Sequence, residues 1–392
     1  MKPDIRSAVE HLDAPFAVLD LDAALANAAD MARRASGTPI RLASKSIRIR
    51  GLISRILEEP GYQGVLGYNL NEAIWLVESS TSNDVLVAYP SAHREALHRL
   101  ITDDHLRRCI TLMVDSVEHL DFIDSVVPAS ERGPLRICVD IDAALELGKL
   151  HIGALRSPIR SVDEVQEFVR AVGTRKGFDL VGLMAYEGQI AGTTDTSPAV
   201  AMMKKFSTRE LAHRREQLVK AVNSDLRKAG KPALEFVNGG GTGSVESTSA
   251  EKVITEIGAG SGIIGPALFD HYKNFSPQPA EWFVLPVVRR PNPETVTVAG
   301  GGRVASGPIG KDRLPVVDWP QGLKTSSLEG FGEVQTPLTG EAARTMRIGD
   351  HVWMRPSKAG EQTEYIDTVL VVFGGEVVDE WPTYRGEGRS FV

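Results

Sequence analysis

Cysteine is almost missing from this chain of 392 residues: only Cys109 and Cys138 occur. Both sit in apolar segments, "RRCITLMV" and "LRICVDI", without a CxxC partner. They are read as buried reduced thiols with no histidine partner and no catalytic role. Long apolar runs are missing too: none approaches the ~20 residues a membrane helix needs. The start, "MKPDIRSAVEHLDAPF", has no apolar signal core, so the chain is expected to be cytoplasmic. Neither sign of charge dominates. Forty-four basic and 51 acidic residues leave a net charge of −7, mixed along the chain, which speaks against a nucleic-acid groove or a membrane-binding face. The nine histidines form no HxH, HxxH or HxxxH pair, and no repeat or low-complexity tract stands out.

What is present is enough apolar sequence, 42%, to build at least one large core. Eight short apolar runs lie between residues 40 and 260: "IRLAS" (40–44), "GVLGY" (64–68), "DVLVAY" (84–89), "CITLMV" (109–114), "LRICVDI" (135–141), "LVGLMAY" (180–186), "LEFVN" (234–238) and "VITEIG" (253–258). Several are continuous rather than alternating, which suits strands buried on both faces of a parallel sheet. Segments with helical spacing separate most of them. Leu52, Ile53 and Ile56, or Val165, Phe168 and Val169, trace the stripe of a helix lying on a sheet. Asn69 or Asn71 is expected to cap the helix after the second run. Only "SVESTSAEK", between the seventh and eighth, is too short for a long helix. Eight strands with helical crossovers imply an α/β fold, a (β/α)8 barrel; an open doubly wound sheet is the competing architecture.

The two ends read differently. Phe16 to Leu19 is strand-like, and a helix is expected to start at Asp22 as its cap and end near Gly37. After about residue 275 the chain turns to Pro, Gly and short β-branched runs, with Gly374-Gly375 as a hairpin turn. The expected division is a barrel over 24–275 and a β domain over 276–392, completed by residues 1–23.

In such a barrel the reacting groups sit where strands end. Here the first strand ends in Lys45, the sixth in Tyr186-Glu187-Gly188, the seventh in "NGGGTGS" (Asn238 to Ser244) and the eighth in "GAGSGIIGP" (Gly258 to Pro266). Glycines let backbone N–H groups approach an anion, and Thr242 or Ser261 adds a hydroxyl donor. Two such turns after strands seven and eight point to a phosphate cradle; neither fits GxxxxGK[ST], which argues against an NTPase. A strand-end lysine facing the same mouth implies a phosphorylated aldehyde held as a Schiff base, pyridoxal 5′-phosphate. A lysine in that mouth is expected to be partly desolvated, which favours its neutral amine. As an isolated position, Lys45 reads equally well as an ordinary loop lysine.

The segments "PFAVLDLDAALAN", "RLASKSIR", "NDVLVAYP", "VGLMAYEGQ", "VNGGGTGS", "GAGSGIIGPALFDHY" and "GDHVWMRPS…VLVVFGGEVVDEWP" run in one order over nearly the whole chain. In them the sequence resembles the fold-type III pyridoxal-phosphate enzymes, built on the alanine-racemase-type barrel. Within these it is most similar to the D-threonine aldolase and D-serine dehydratase-like branch. The resemblance implies that Lys45 carries the cofactor, that Gly240, Gly241, Thr242, Gly260, Ser261 and Gly262, with Asn238 at the strand end, form the phosphate site, and that Tyr186 lies against the cofactor ring. It also implies a homodimer in which the β domain of one subunit nears the barrel mouth of the other.

Two departures matter. Metal-dependent members carry a histidine, then a cysteine or aspartate two residues on, after "GDxV…P"; here Lys358 and Gly360 stand in those places, so no divalent metal of the family type is expected. The chain is similar to a metal-free sub-branch labelled amino-acid deaminase/aldolase, with "GEVQTPL" (332–338) and "KAGE" (358–361) instead of the metal motif. Lys358 then supplies an ammonium where relatives hold the cation, with Gln335 or Thr336 bonding the substrate hydroxyl; a solvated strand-edge lysine is the plain alternative. Second, the arginine facing the ring nitrogen has no clean match, and Arg156 is the candidate. The implied activity is a lyase on β-hydroxy-D-amino acids, by retro-aldol cleavage or by dehydration. The rivals are a racemase or epimerase, which needs a second acid/base such as Tyr272, Tyr365 or Tyr384, and a non-catalytic cofactor carrier. No nucleic-acid or membrane partner is expected.

Overall fold

The structure is a computed structural model describing residues 2–194 and 197–392; Met1, part of the N-terminal segment expected to complete the β domain, lies outside them. Strand β1 spans Phe16–Asp20. The eight runs all become parallel strands: β2 (Ile40–Ala43), β3 (Tyr62–Gly67), β4 (Val85–Val87), β5 (Ile110–Val114) and β6 (Leu135–Asp140). A small hairpin, β7 (Leu145–Leu147) and β8 (Leu150–Ile152), interrupts the series before β9 (Phe178–Ala185), β10 (Phe236–Gly239) and β11 (Glu256–Ala259). The barrel closes in the order β10-β11-β2-β3-β4-β5-β6-β9. The open doubly wound sheet is thereby excluded.

Inside the barrel, Leu86, Met113, Cys138, Met184 and Phe236 pack together. The interior also holds charge. Arg41 donates from Nε and Nη2 to the two carboxylate oxygens of buried Glu256, at 2.8 and 2.9 Å. Forked pairing of this kind tolerates burial because each charge meets both a counter-charge and hydrogen bonds. Burial pushes the Cys138 thiol up. Cys109 is also buried and free, but it does have a histidine neighbour: Sγ lies 3.8 Å from the ring nitrogens of His105, one helical turn earlier. Burial raises this thiol as well, away from the reactive thiolate.

The crossover helices follow their caps. Asn69 caps Leu70–Glu78, its side chain accepting from Asn71 N. Ser161 and Glu164 form a reciprocal capping box that starts Val162–Gly173, whose Val165, Phe168, Val169 and Val172 are buried. The short connection gives only Val245–Ser249. The helix after β1 begins two residues earlier than its sequence suggests. It runs Leu21–Arg34 with Asp20 as cap, its side chain accepting from Ala23 N. Asp22 falls inside the first turn and accepts instead from Gly374 N at 2.7 Å.

The remaining strands are β12 (Glu281–Asn292), β13 (Thr295–Ala299), β14 (Val316–Trp319), β15 (Lys324–Thr325), β16 (Gln335–Thr339), β17 (His351–Arg355), β18 (Thr368–Phe373) and β19 (Glu376–Pro382). With β1 they make one sheet. β1 pairs antiparallel to β12 (Phe16 opposite Val284) and parallel to β18 (Val18 opposite Leu370). Gly374 and Gly375, with φ of +60° and +81°, turn β18 into β19; both lie in the left-handed region where glycine carries no penalty. The sheet is tied to the barrel rim. Arg355 forks onto Asp270 with two contacts of 2.9 Å, and Ala267 N and Leu268 N donate to Pro356 O and Ser357 O. These bonds fix where residues 355–361 lie over the mouth. No helix among the described residues is long and apolar enough to cross a membrane.

Candidate active site

After β2 the chain makes one 3-10 turn, Ser44–Ser46, which presents Lys45. Lys45 is exposed, not partly desolvated as its position suggested. The turn is held from below. Ser44 Oγ donates to Leu66 O at 3.3 Å, and the fully buried carboxylate of Glu72 accepts from Tyr68 N at 2.7 Å and from Tyr384 Oη at 2.9 Å. Burial pushes Glu72 up to about 7, against the hydrogen bonds from Ser44, Tyr68 and Tyr384. Tyr384 N donates to the carbonyl oxygen of Arg48, which has φ +55°.

The two glycine turns adjoin this lysine turn. A Cβ added at Gly260 would stand 2.5 Å from Ala43 O, so the start of the β11 turn touches the end of β2, two residues before Lys45. The turns also meet each other: Thr242 Oγ1 lies 3.0 Å from Ser261 Oγ and accepts from Gly262 N at 3.0 Å. Only glycine fits around them. At Gly262 a Cβ would be 2.5 Å from Met31 Sδ and 2.7 Å from Thr242 Cγ2, and Gly240 has φ +87°. Hydroxyls and amides gathered at glycine turns suit a phosphate group.

Tyr186 stands beside this cradle. A Cβ at Gly241 would be 3.4 Å from its ring, and burial raises its phenol. The Arg156 guanidinium lies 5.5 Å from the Tyr186 ring centroid and 5.2 Å from that of Tyr89, in a crevice also lined by Asp140 and Met184. Asn238 faces elsewhere: its amide donates to Glu256 in the barrel interior at 2.8 Å, and its Oδ1 is buried without a hydrogen-bond partner.

Lys358 arrives from the sheet side. Its Nζ donates to Ser306 Oγ at 3.2 Å and lies 3.7 Å from Glu361. Burial lowers its proton affinity; Glu361 opposes this, while the Arg313 and Lys45 charges add to it. Gly360, at φ +85°, presses on the lysine turn so closely that a Cβ there would be 2.2 Å from Lys45 O. A liganding side chain at 360 has no room. Gln335 is not brought in: it is exposed on β16 opposite Ala299, and no bond among the described residues links it to Lys45 or Lys358. Thr336 spends its hydroxyl on Gly300 O at 2.7 Å. Of the tyrosines, Tyr384 is committed to Glu72, Tyr272 donates to Ala191 O at 3.2 Å, and Tyr365 is exposed.

One group of residues escaped the sequence reading. Buried Glu187 accepts from Gly240 N (3.1 Å), Ser244 Oγ (3.1 Å) and Thr248 Oγ1 (2.5 Å). Arg215, wholly buried on the long helix Pro198–Lys228, holds Glu187 at 2.9 Å and Glu251 at 2.6 Å. This buried pair shapes the first glycine turn from behind. Its sequence trace is thin: an acid next to Tyr186 and an arginine on a helix full of charge. A cavity of about 670 Å³ is lined by Lys204, Thr208, Gly243 and Ser247, and Lys45 is not among its lining residues.

Residues 19–266 match the family described as alanine racemase, N-terminal domain. A 3-hydroxy-D-aspartate aldolase of Paracoccus denitrificans is 25% identical over 96% of this chain and 93% of its own length. The D-threonine aldolase structure from Filomicrobium marinum superposes with a TM-score of 0.77 at 22% identity, covering 95% of both chains. D-threo-3-hydroxyaspartate dehydratase from a Delftia species gives 0.71 at 20%, covering 96% of this chain and 98% of the other. These structural likenesses establish the fold.

Proposed function

The chain belongs to the alanine racemase N-terminal-domain family, and on that premise we propose that it is a pyridoxal 5′-phosphate-dependent lyase of β-hydroxy-D-amino acids. It either cleaves Cα–Cβ, giving glycine and an aldehyde, or removes the β-hydroxyl, giving a 2-keto acid and ammonia. The observation that carries the reading is the contact between the lysine turn and the glycine cradle through Ala43 and Gly260. The names of the aldolase and dehydratase relatives describe these two outcomes.

The residues present fit the cofactor. Thr242, Ser261 and the Gly262 amide offer donors for its phosphate, and the narrow spaces around Gly241 and Gly262 keep bulk out. Tyr186 supplies a flat face beside them, and Arg156, across that ring, is the cation for the ring-nitrogen side. Bound there, pyridoxal phosphate supplies an electron sink for the pair left when a bond to Cα breaks. Lys45 offers the primary amine that would hold the cofactor's aldehyde and, when free, a base that could move the proton on Cα. Lys358 faces the same turn, and its lowered proton affinity suits a group that takes or steadies the β-hydroxyl proton. Gln335 has no part in this mechanism. The reading includes a cytoplasmic homodimer, and the domain division at about residue 275 with β1 returned to the sheet.

Purified protein given pyridoxal phosphate should develop a visible absorption band that borohydride removes, and Lys45→Ala should show neither band nor turnover. Lys358→Ala should lower turnover about a hundredfold, the range of a lost general acid or base. Product analysis on D-threonine, D-serine and phenylserine, with and without chelator, separates cleavage from elimination. Racemisation alone would overturn the lyase reading.

A further inference from the structure

Arg313 is a cation whose Nε and Nη1 have no hydrogen-bond acceptor among the described residues. It sits in the loop between β13 and β14, its side chain only 15% exposed, and both nitrogens are buried. Its nearest carboxylate is that of its own chain neighbour, Asp312, 3.1 Å from Nη1 and not in hydrogen-bonding geometry. Buried guanidinium donors are rarely left unpaired, because each lost bond to water costs about 1–3 kcal/mol.

The loop that carries Arg313 is locked to the segment over the lysine turn. Ala305 N donates to Arg313 O at 2.8 Å, and Ser306 N donates to Glu361 at 2.7 Å. Ser357 Oγ donates to Asp312 O at 2.5 Å, and Lys358 Nζ to Ser306 Oγ at 3.2 Å. Gly307, at φ +115°, leaves Arg313 its place, since a Cβ there would be 3.0 Å from Nε. Gly360 in turn presses on Lys45 O. Three cations thus come near one another: Lys45 from the barrel, and Lys358 and Arg313 from the sheet, with the charges of Lys45 and Arg313 both acting on Lys358. Like charges so gathered repel unless an anion sits among them. Glu361 is taken up by Ser306 and Lys358, and the phosphate cradle is made of other residues.

We propose that Arg313, flanked by Lys358, is the carboxylate-binding residue of the substrate site. The inference rests on the lyase reading and deepens it. The planar fork of Arg313 matches a carboxylate in two-point contact, and its unpaired donors lie on the loop bonded to the segment over the lysine turn. The carboxylate is either the one every amino acid carries on Cα or a second one carried on the side chain.

The test has a binding arm and a kinetic arm. Succinate and acetate are titrated calorimetrically into the cofactor-loaded protein and its Arg313→Gln and Arg313→Lys variants, with thermal melts to confirm folding. Binding should weaken about tenfold or more in Arg313→Gln and less in Arg313→Lys, the loss expected of one charge-assisted contact. In kinetics, KM should rise by a similar factor with a smaller change in kcat. A rise shared by D-threonine and 3-hydroxy-D-aspartate assigns the Cα carboxylate; a rise confined to the latter assigns the side-chain carboxylate. Unchanged carboxylate binding and unchanged KM in folded Arg313→Gln would overturn the proposal. If no β-hydroxy-D-amino acid is turned over, the lyase reading fails, while the calorimetric arm still decides on Arg313.

Discussion

A buried acid beneath the lysine turn makes position 72 the most informative single residue. Inside the folded chain Glu72 keeps its proton up to about 7, whereas its ordinary value is 4.5. The folded form therefore binds more protons than the unfolded form between those values, and stability falls as pH rises from about 4.5 to about 7. Glu281 adds to the same slope: burial raises it to about 7, and neither of its carboxylate oxygens has a hydrogen-bond partner. Urea melts should show the protein less stable at pH 8 than at pH 5.5. Glu72→Gln should reduce that difference, since an amide can still accept from Tyr68 N and donate to Tyr384. Tyr384→Phe strands the Glu72 oxygen instead, and should cost about 1–3 kcal/mol. A variant as stable as the parent would show that the tyrosine bond is not what holds the turn.

At the scale of elements, the cradle is two turns that fit only as a pair. Gly262→Ala places a methyl against Met31 and Thr242. The overpacking, worth about 1–3 kcal/mol, should weaken pyridoxal phosphate binding about tenfold in an absorbance titration, with the fold intact. Helix Val162–Gly173 offers a contrast far from the site. Ser161→Ala removes its cap and should lower stability by about 1 kcal/mol without changing cofactor binding. These two variants separate the local chemistry of a turn from the general stability of a crossover helix.

For the whole molecule, the exposed apolar side chains matter most. Leu155 is 84% exposed beside Arg156 near the mouth, and Ile309 and Leu328 are fully exposed on loops of the sheet. Large apolar groups left this exposed suit the proposed partner subunit, which would cover them. Sedimentation equilibrium should give a particle of twice the 42.5 kDa chain. Ile309→Asp with Leu328→Asp should shift it toward monomer; a parent that sediments as a monomer would end that reading.

How much could be read in advance differs by scale. All eight barrel strands were legible, because burial on both faces writes a strand as a continuous apolar run, and the chain's order makes them parallel. Asp20 displaced Asp22 as a cap because two acids two residues apart look alike until the backbone selects which one reaches an N–H. That Lys45, Tyr186 and the glycine turns stand at strand ends was legible, because the apolar runs stop there. Arg215 with Glu187, Glu72 with Tyr384, and Arg313 were not. Each works through a partner or neighbour tens to hundreds of residues away, and a lone charge in sequence reads as a solvated one. The sequence by itself determined the barrel, the returning N-terminal strand and the lysine at the end of the first barrel strand, since local periodicity and turn chemistry suffice for these. Only the tertiary structure decided which charges are buried, which side chains close on the lysine turn, and that Gln335 stays outside, because burial and pairing are properties of the packed chain.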